Sequence, residues 1–137
     1  MNTTRSTQAN TFARINTLLS TNLKSILKKE VHNADRVNLY DAGEYWVAFE
    51  KSAYMLDKMT DKSDKPMVLH LKAHPFPIVM RSIHYQRVKD MCKKHLMSKK
   101  QLEYLQFLTQ RTDDASYNQW YREFVVEKSL MYLVRIS

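Results

Sequence analysis

The sequence predicts a single α/β (α+β) domain, and two observations carry that expectation. The spacing of apolar residues switches along the chain between a period near 3.6 and a period of 2, so helices and strands are interleaved. A length of 137 residues with 44% hydrophobic side chains suffices for one core that hides roughly two-thirds of the unfolded surface, and leaves little for a second domain.

Each element follows in order. Residues 1–8 are polar and are expected to be a flexible N-terminus, with one domain over 9–137. Phe12, Ile15, Leu19, Leu23 and Ile26 fall on one helical stripe, with Leu18 and Leu27 beside it, which predicts a helix ending near residue 29. Asn33 and Asp35 then mark a turn. Val37 with Leu39, and Tyr45 to Phe49, read as two short strands hinged at Asp41 to Glu44. Phe49, Ala53, Leu56 and Met59 return to helical spacing, with Glu50, Lys51, Asp57 and Lys58 turned away from that stripe, and 60–65 reads as a polar loop. "PMVLHLKA" and "FPIVMRSI" alternate as strands, separated by His74 to Pro77.

Val88, Met91, Cys92 and His95 form another helical stripe. Residues 102–108 fit either a strand or a helix: Tyr104 with Leu108 suits both periods, and Leu102, Leu105 and Leu108 tip the reading to a helix. Residues 111–119 read as an acidic and polar loop, 119–128 as helical or extended, and "LMYLVRI" as a closing strand.

With 22 Lys and Arg against 14 Asp and Glu, the formal charge is +8, which favours anionic partners: nucleic acid or an acidic protein. Cys92 is the only cysteine, so no internal disulfide forms, and no long apolar span or secretory core is present. The chain therefore reads as cytoplasmic and without a membrane partner. Its basic, acid-free first 29 residues superficially match an organellar transit peptide, but the apolar stripe predicts a helix packed on the core instead. Gly43 is the only glycine. A Walker A loop or a dinucleotide fingerprint needs several, so those two nucleotide-binding scaffolds are excluded.

Candidate sites are few. His70, His74 and His84 would need a shared second shell to hold a metal, and no metal or cofactor is expected. Cys92 sits among Lys93, Lys94 and His95, which would favour its thiolate, yet its place on the apolar stripe predicts a buried hydrophobe. Asp41 and Glu44 flank the glycine, where carboxylates hydrogen-bond the local backbone more often than they catalyse. The methionines read as core filler. No nucleophile, base and oxyanion donors assemble, so no enzyme or small-molecule substrate is expected. Tyr45 and Trp46, adjacent on a strand, point to opposite faces, one into the core and one toward a partner.

Residues 37–56, "VNLYDAGEYWVAFEKSAYML", resemble the start of the mismatch-recognition domain (domain I) of the DNA mismatch repair protein MutS. There, an apolar strand ends in Gly-Asp-Phe-Tyr-Glu-x-Phe-x-x-x-Ala. Gly43, Glu44, Tyr45, Trp46, Phe49 and Ala53 fall on the glycine, the acid, the two aromatics, the third aromatic and the alanine. The resemblance implies a stand-alone, diverged version of that domain: a single mixed β-sheet flanked by helices, with Tyr45 in the place of the phenylalanine that stacks on a mispaired base. Val47 replaces the glutamate that hydrogen-bonds the base, so mismatch discrimination should be weak or absent.

The functional expectation is a small non-catalytic module that binds nucleic acid, double-stranded DNA in particular. Gly43, Tyr45 and Trp46 would form the contact, and Arg81, Arg87, Lys89, Lys93, Lys94, Lys99 and Lys100 would hold phosphates. The alternative is a protein-interaction module that keeps the fold, with Tyr117, Trp120 and Tyr121 as exposed anchors.

Overall fold

The computed structural model describes residues 4–60, 65–72, 74–127 and 133–136, with side chains described over 10–60, 65–72 and 74–125. One mixed sheet is flanked by helices on both faces, as the sequence predicts. The chain runs α1 (Thr4–Val31), β1 (Arg36–Asp41), β2 (Tyr45–Phe49), α2 (Glu50–Met59), β3 (Met67–Leu71), β4 (Ile78–His84), α3 (Tyr85–Lys94), β5 (Met97–Gln101), β6 (Tyr104–Leu108), α4 (Asp114–Arg122), a π-helical segment (Glu123–Glu127) and β7 (Leu133–Ile136). The strand order is β5-β6-β1-β2-β4-β3-β7. Every pairing is antiparallel except β3 with β7. The first helix starts at Thr4, ahead of the expected boundary, and most of the predicted loop at 60–65 lies outside the described residues.

Strand alternation divides the core in two. Ile15, Leu19 and Ile26 of α1 pack with Tyr40, Val47, Phe49, Ile78, Met80 and Tyr104 on one face of the sheet. On the other face, Val37, Leu39, Ala48, Ile83, Leu105 and Phe107 meet Ala53 to Leu56 of α2, Val88 and Met91 of α3, and Tyr117 of α4. Strands covered on both faces lose a simple polar alternation. For this reason 102–108 misleads: the spacing of its leucines suggests a helix, whereas Leu102 sits in a turn at 91% exposure and residues 104–108 form β6, paired along β1.

Three further expectations are corrected. Cys92 is exposed, not buried. The inward face of α3 closes on Val88 and Met91, three residues apart, and Cys92, 100° round the helix from Met91, falls on its flank. Residues 114–119 are helical rather than a loop, because the Asp113 carboxylate accepts from Ser116 N at 2.7 Å and caps α4. Asp57 does not turn to solvent but is buried against Arg81.

Two glutamates fix the junctions. Glu30, at the end of α1, is 3% exposed. Its carboxylate accepts from Ser52 N and Oγ, both at 2.8 Å, from Asn38 Nδ2 at 2.9 Å and from Asn33 Nδ2 at 3.1 Å. Ser52 is the third residue of α2, whose N-cap, Phe49, offers no side-chain acceptor. Glu30 thus satisfies an orphan amide at that helix N-terminus and lies in its favourable dipole. Burial still raises its pKa, opposed by these hydrogen bonds.

Glu50 bends the chain from β2 into α2 with φ 53°, a left-handed conformation that strains a side-chain-bearing residue. The bend lets its carboxylate take over where β2 leaves the sheet. It accepts from Val79 N at 3.2 Å, and from the Tyr117 hydroxyl of α4 at 3.3 Å. Burial pushes this carboxyl up to about 7, against the pull of those two donors.

Candidate nucleic-acid interface

Gly43 lies in the β1–β2 turn with φ +91°, the conformation for which glycine is suited. Its amide donates to Asp41 Oδ1 at 2.8 Å, and the same oxygen accepts from Arg14 Nη1 at 3.2 Å. Asp41 is therefore a turn-holding carboxylate. Past the turn, Trp46 packs inward against the core formed with α2 and α3, while Tyr45 points to the opposite face. The two rings lie on opposite faces as expected, and both are half-buried.

Tyr45 pairs in register with His84 across β2 and β4. Their rings meet edge to face, 5.3 Å apart at 89°, and His84 in turn lies 4.6 Å from Tyr85. These three rings form a ladder that runs from the β1–β2 turn onto the first residue of α3. His84 is the N-cap of that helix, its Nδ1 accepting from Gln86 N at 3.3 Å. Its other nitrogen faces Glu44 Oε1 at 3.8 Å. The Tyr85 amide is held by the Glu44 carbonyl at 3.0 Å. Neither His84 nor Tyr85 stands out from composition or period. The available signal was their position, two adjacent aromatic side chains directly before the most basic segment.

The cations do not form one surface. Arg81 is fully buried. Its guanidinium bonds Asp57 Oδ1 at 3.1 Å, Thr60 Oγ1 at 2.8 Å and the Ser82 carbonyl at 2.7 Å, so it cannot reach a phosphate. Lys99 and Lys100 are not an extension of α3 but lie on the edge strand β5, paired opposite Gln106 and Leu105. Residues directly opposite on an antiparallel pair share a face. Lys100 therefore faces the same side as α3, and Lys99 faces the α1 side with Gln106 and Tyr104.

Arg87, Lys89, Lys93 and Lys94 remain on α3, with Asp90 their only acidic neighbour in the helix. Tyr85, Lys89 and Lys93, four residues apart, share one exposed stripe opposite Val88 and Met91. Lys89 Nζ sits 5.9 Å from the Tyr85 ring centroid.

The groove beside the β1–β2 turn has the opposite sign. An open groove of about 760 Å³ between α1 and the β1–β2 turn is lined by Asp41, Glu44 and Glu103, with Arg14 the one cation among them. His70, His74 and His84 are not gathered: among the described residues no three His, Cys, Asp or Glu side chains are placed to hold a metal. Among those residues, too, no helix is long and apolar enough to cross a membrane.

The aromatics expected as protein-binding anchors are structural. Tyr117 packs in the core and bonds Glu50, the Trp120 indole donates to Asp57 at 3.4 Å, and the Tyr121 hydroxyl donates to the Pro77 carbonyl. No protein family, curated protein or solved structure matches the chain.

Proposed function

We propose that this chain is a non-catalytic nucleic-acid-binding module that contacts DNA through the aromatic ladder at Tyr45 and the exposed basic stripe of α3. The observation that carries the reading is the continuity of the two: rings able to stack on bases adjoin a helix face whose lysines can neutralise phosphates. A basic face alone would be an ordinary solvated surface. A ladder of half-exposed rings beside it is harder to explain by stability.

The resemblance to domain I of MutS stands as part of this proposal, resting on Gly43 and Tyr45 at the β1–β2 turn. It does not extend to base reading. Val47, at the position of the base-contacting glutamate, is fully buried beneath α1 and has no polar group, so a mismatched duplex should gain nothing over a matched one. Tyr117 is buried, and Trp120 and Tyr121 are half-buried with their polar groups bonded inside the fold, so a protein-interaction reading has fewer exposed anchors than its three aromatics suggested.

The test is DNA affinity as a function of salt. With three or four α3 cations engaged, the slope of log K against log salt should be about −3 to −4 for duplex, and shallower for single strands. Lys89→Glu with Lys93→Glu should weaken binding in low salt and flatten the slope. Absence of binding in low salt, or binding indifferent to these charge reversals, overturns the proposal.

A further inference from the structure

We infer that the interface takes unpaired bases, a single-stranded segment of nucleic acid, with Tyr85 rather than Tyr45 as the stacking platform; this rests on the nucleic-acid reading above. Two independent features lead there.

The first is access. A wedge that enters a duplex must project freely between base pairs. Tyr45 sits within a strand, half-buried, with its neighbour in β4 pressed edge to face against it. Tyr85 is the most open ring of the ladder at 39% exposure. It is backed by His84, fixed at its amide by Glu44, and has Lys89 one helical turn away. A 5.9 Å cation–ring separation is near the outer limit of such a contact. Lys89 is thus readily drawn from the ring to a phosphate when a base takes its place.

The second is the sign of charge on the two sides of the ladder. A duplex presents two phosphate backbones, one on each side of the bases that a wedge would enter. Such a ligand needs cations on both flanks. Here α3 carries Lys89, Lys93 and Lys94, whereas the groove at the β1–β2 turn is lined by Asp41, Glu44 and Glu103 against Arg14 alone, and Arg14 is itself paired with Asp41. One backbone is attracted along α3 and a second would be repelled at the groove. A single strand, its bases turned to the rings and its phosphates to the helix, satisfies both sides. Stacking on an aromatic platform is tolerant of sequence, so little base preference is expected.

The experiment compares a fluorescent oligothymidylate and a blunt duplex of equal length in low salt, with wild type, Tyr85→Ala, Tyr85→Phe and Tyr45→Ala. The single strand should bind more tightly than the duplex. Tyr85→Ala should lower single-strand affinity about tenfold, Tyr85→Phe should retain it, and Tyr45→Ala should cost less than Tyr85→Ala. Thermal melts of each variant exclude misfolding as the cause. Duplex binding as tight as single-strand binding, or single-strand binding unmoved by Tyr85→Ala yet lost on Lys89→Glu with Lys93→Glu, overturns the platform and leaves the nucleic-acid function standing. No binding to either DNA in low salt overturns both.

Discussion

Arg81 illustrates what a single residue's sequence neighbourhood conceals. By charge alone it belongs with Arg87 and Lys89, yet it lies on β4 facing α2, and its charge is matched by Asp57, which is itself 3% exposed. The same carboxylate receives the Trp120 indole, so one buried group connects β4, α2 and α4. Removing one member of a buried ion pair leaves the other desolvated and uncompensated, which costs about 3–5 kcal/mol. Arg81→Ala should accordingly lose that much stability in chemical denaturation, and Asp57→Ala added to it should recover part of the loss. Should Arg81→Ala fold with normal stability while losing DNA affinity, the guanidinium would be a phosphate contact after all. Gly43 was legible from the sequence because only one residue type suits its φ. Arg81 was not, because its fate depends on Asp57, twenty-four positions away.

Elements whose apolar spacing is set by one neighbour were readable. Ile15, Leu19 and Ile26 of the first stripe and the helix 50–59 fall where their period says, while Leu23 is half-buried and Phe12, expected on the same stripe, is 50% exposed. Elements shared between two neighbours were not: β6 is covered on both faces, and α4 hides its inward residues, Tyr117, Trp120 and Tyr121, among polar ones. The usable signal for α4 was the cap, Asp113 ahead of Asp114, Ala115 and Ser116. Hydrogen bonds from Ser116 hold the Asp113 carboxyl below the usual carboxylate range. Asp113→Ala should lower the melting temperature by about 2–5 °C and quicken amide exchange in the first turn of α4, while Asp113→Asn, an equally good cap, should do neither. An unchanged melt and exchange pattern in Asp113→Ala would mean that Tyr117 and Trp120 alone hold the helix. The proposed interface divides the same way. Its cations on α3 were legible as a run, and the ladder was not, because Tyr45 and Tyr85 meet only through the pairing of β2 with β4.

At the scale of the whole molecule, buried Glu30 and half-buried Glu50 make stability depend on pH. Glu50 closes the β2–α2 junction against β4 and α4, and Glu30 ties α1 to α2 and β1, so both act where layers of the fold join. Burial raises both pKa values in the folded state, Glu50 to about 7. An unfolded glutamate titrates near 4.3, so between about pH 4.5 and pH 7 the folded chain holds more protons than the unfolded one. Stability is therefore favoured below that window and falls as pH rises through it. At about 1.36 kcal/mol per pKa unit, the gap from near 4.3 to about 7 corresponds to at most about 4 kcal/mol for Glu50, with Glu30 adding in the same direction. Urea titrations at pH 5, 6, 7 and 8 should show a fall in unfolding free energy across this range. Glu50→Gln keeps an oxygen acceptor for Val79 N and the Tyr117 hydroxyl without the charge. It should be near neutral at pH 5 and stabilising at pH 8, flattening the profile. A profile that rises from pH 5 to pH 8 in the wild type, or one that Glu50→Gln leaves unchanged, would mean that the Glu50 carboxylate is stabilised at the junction rather than penalised there. The hydrogen bonds from Val79 and Tyr117 would then outweigh desolvation.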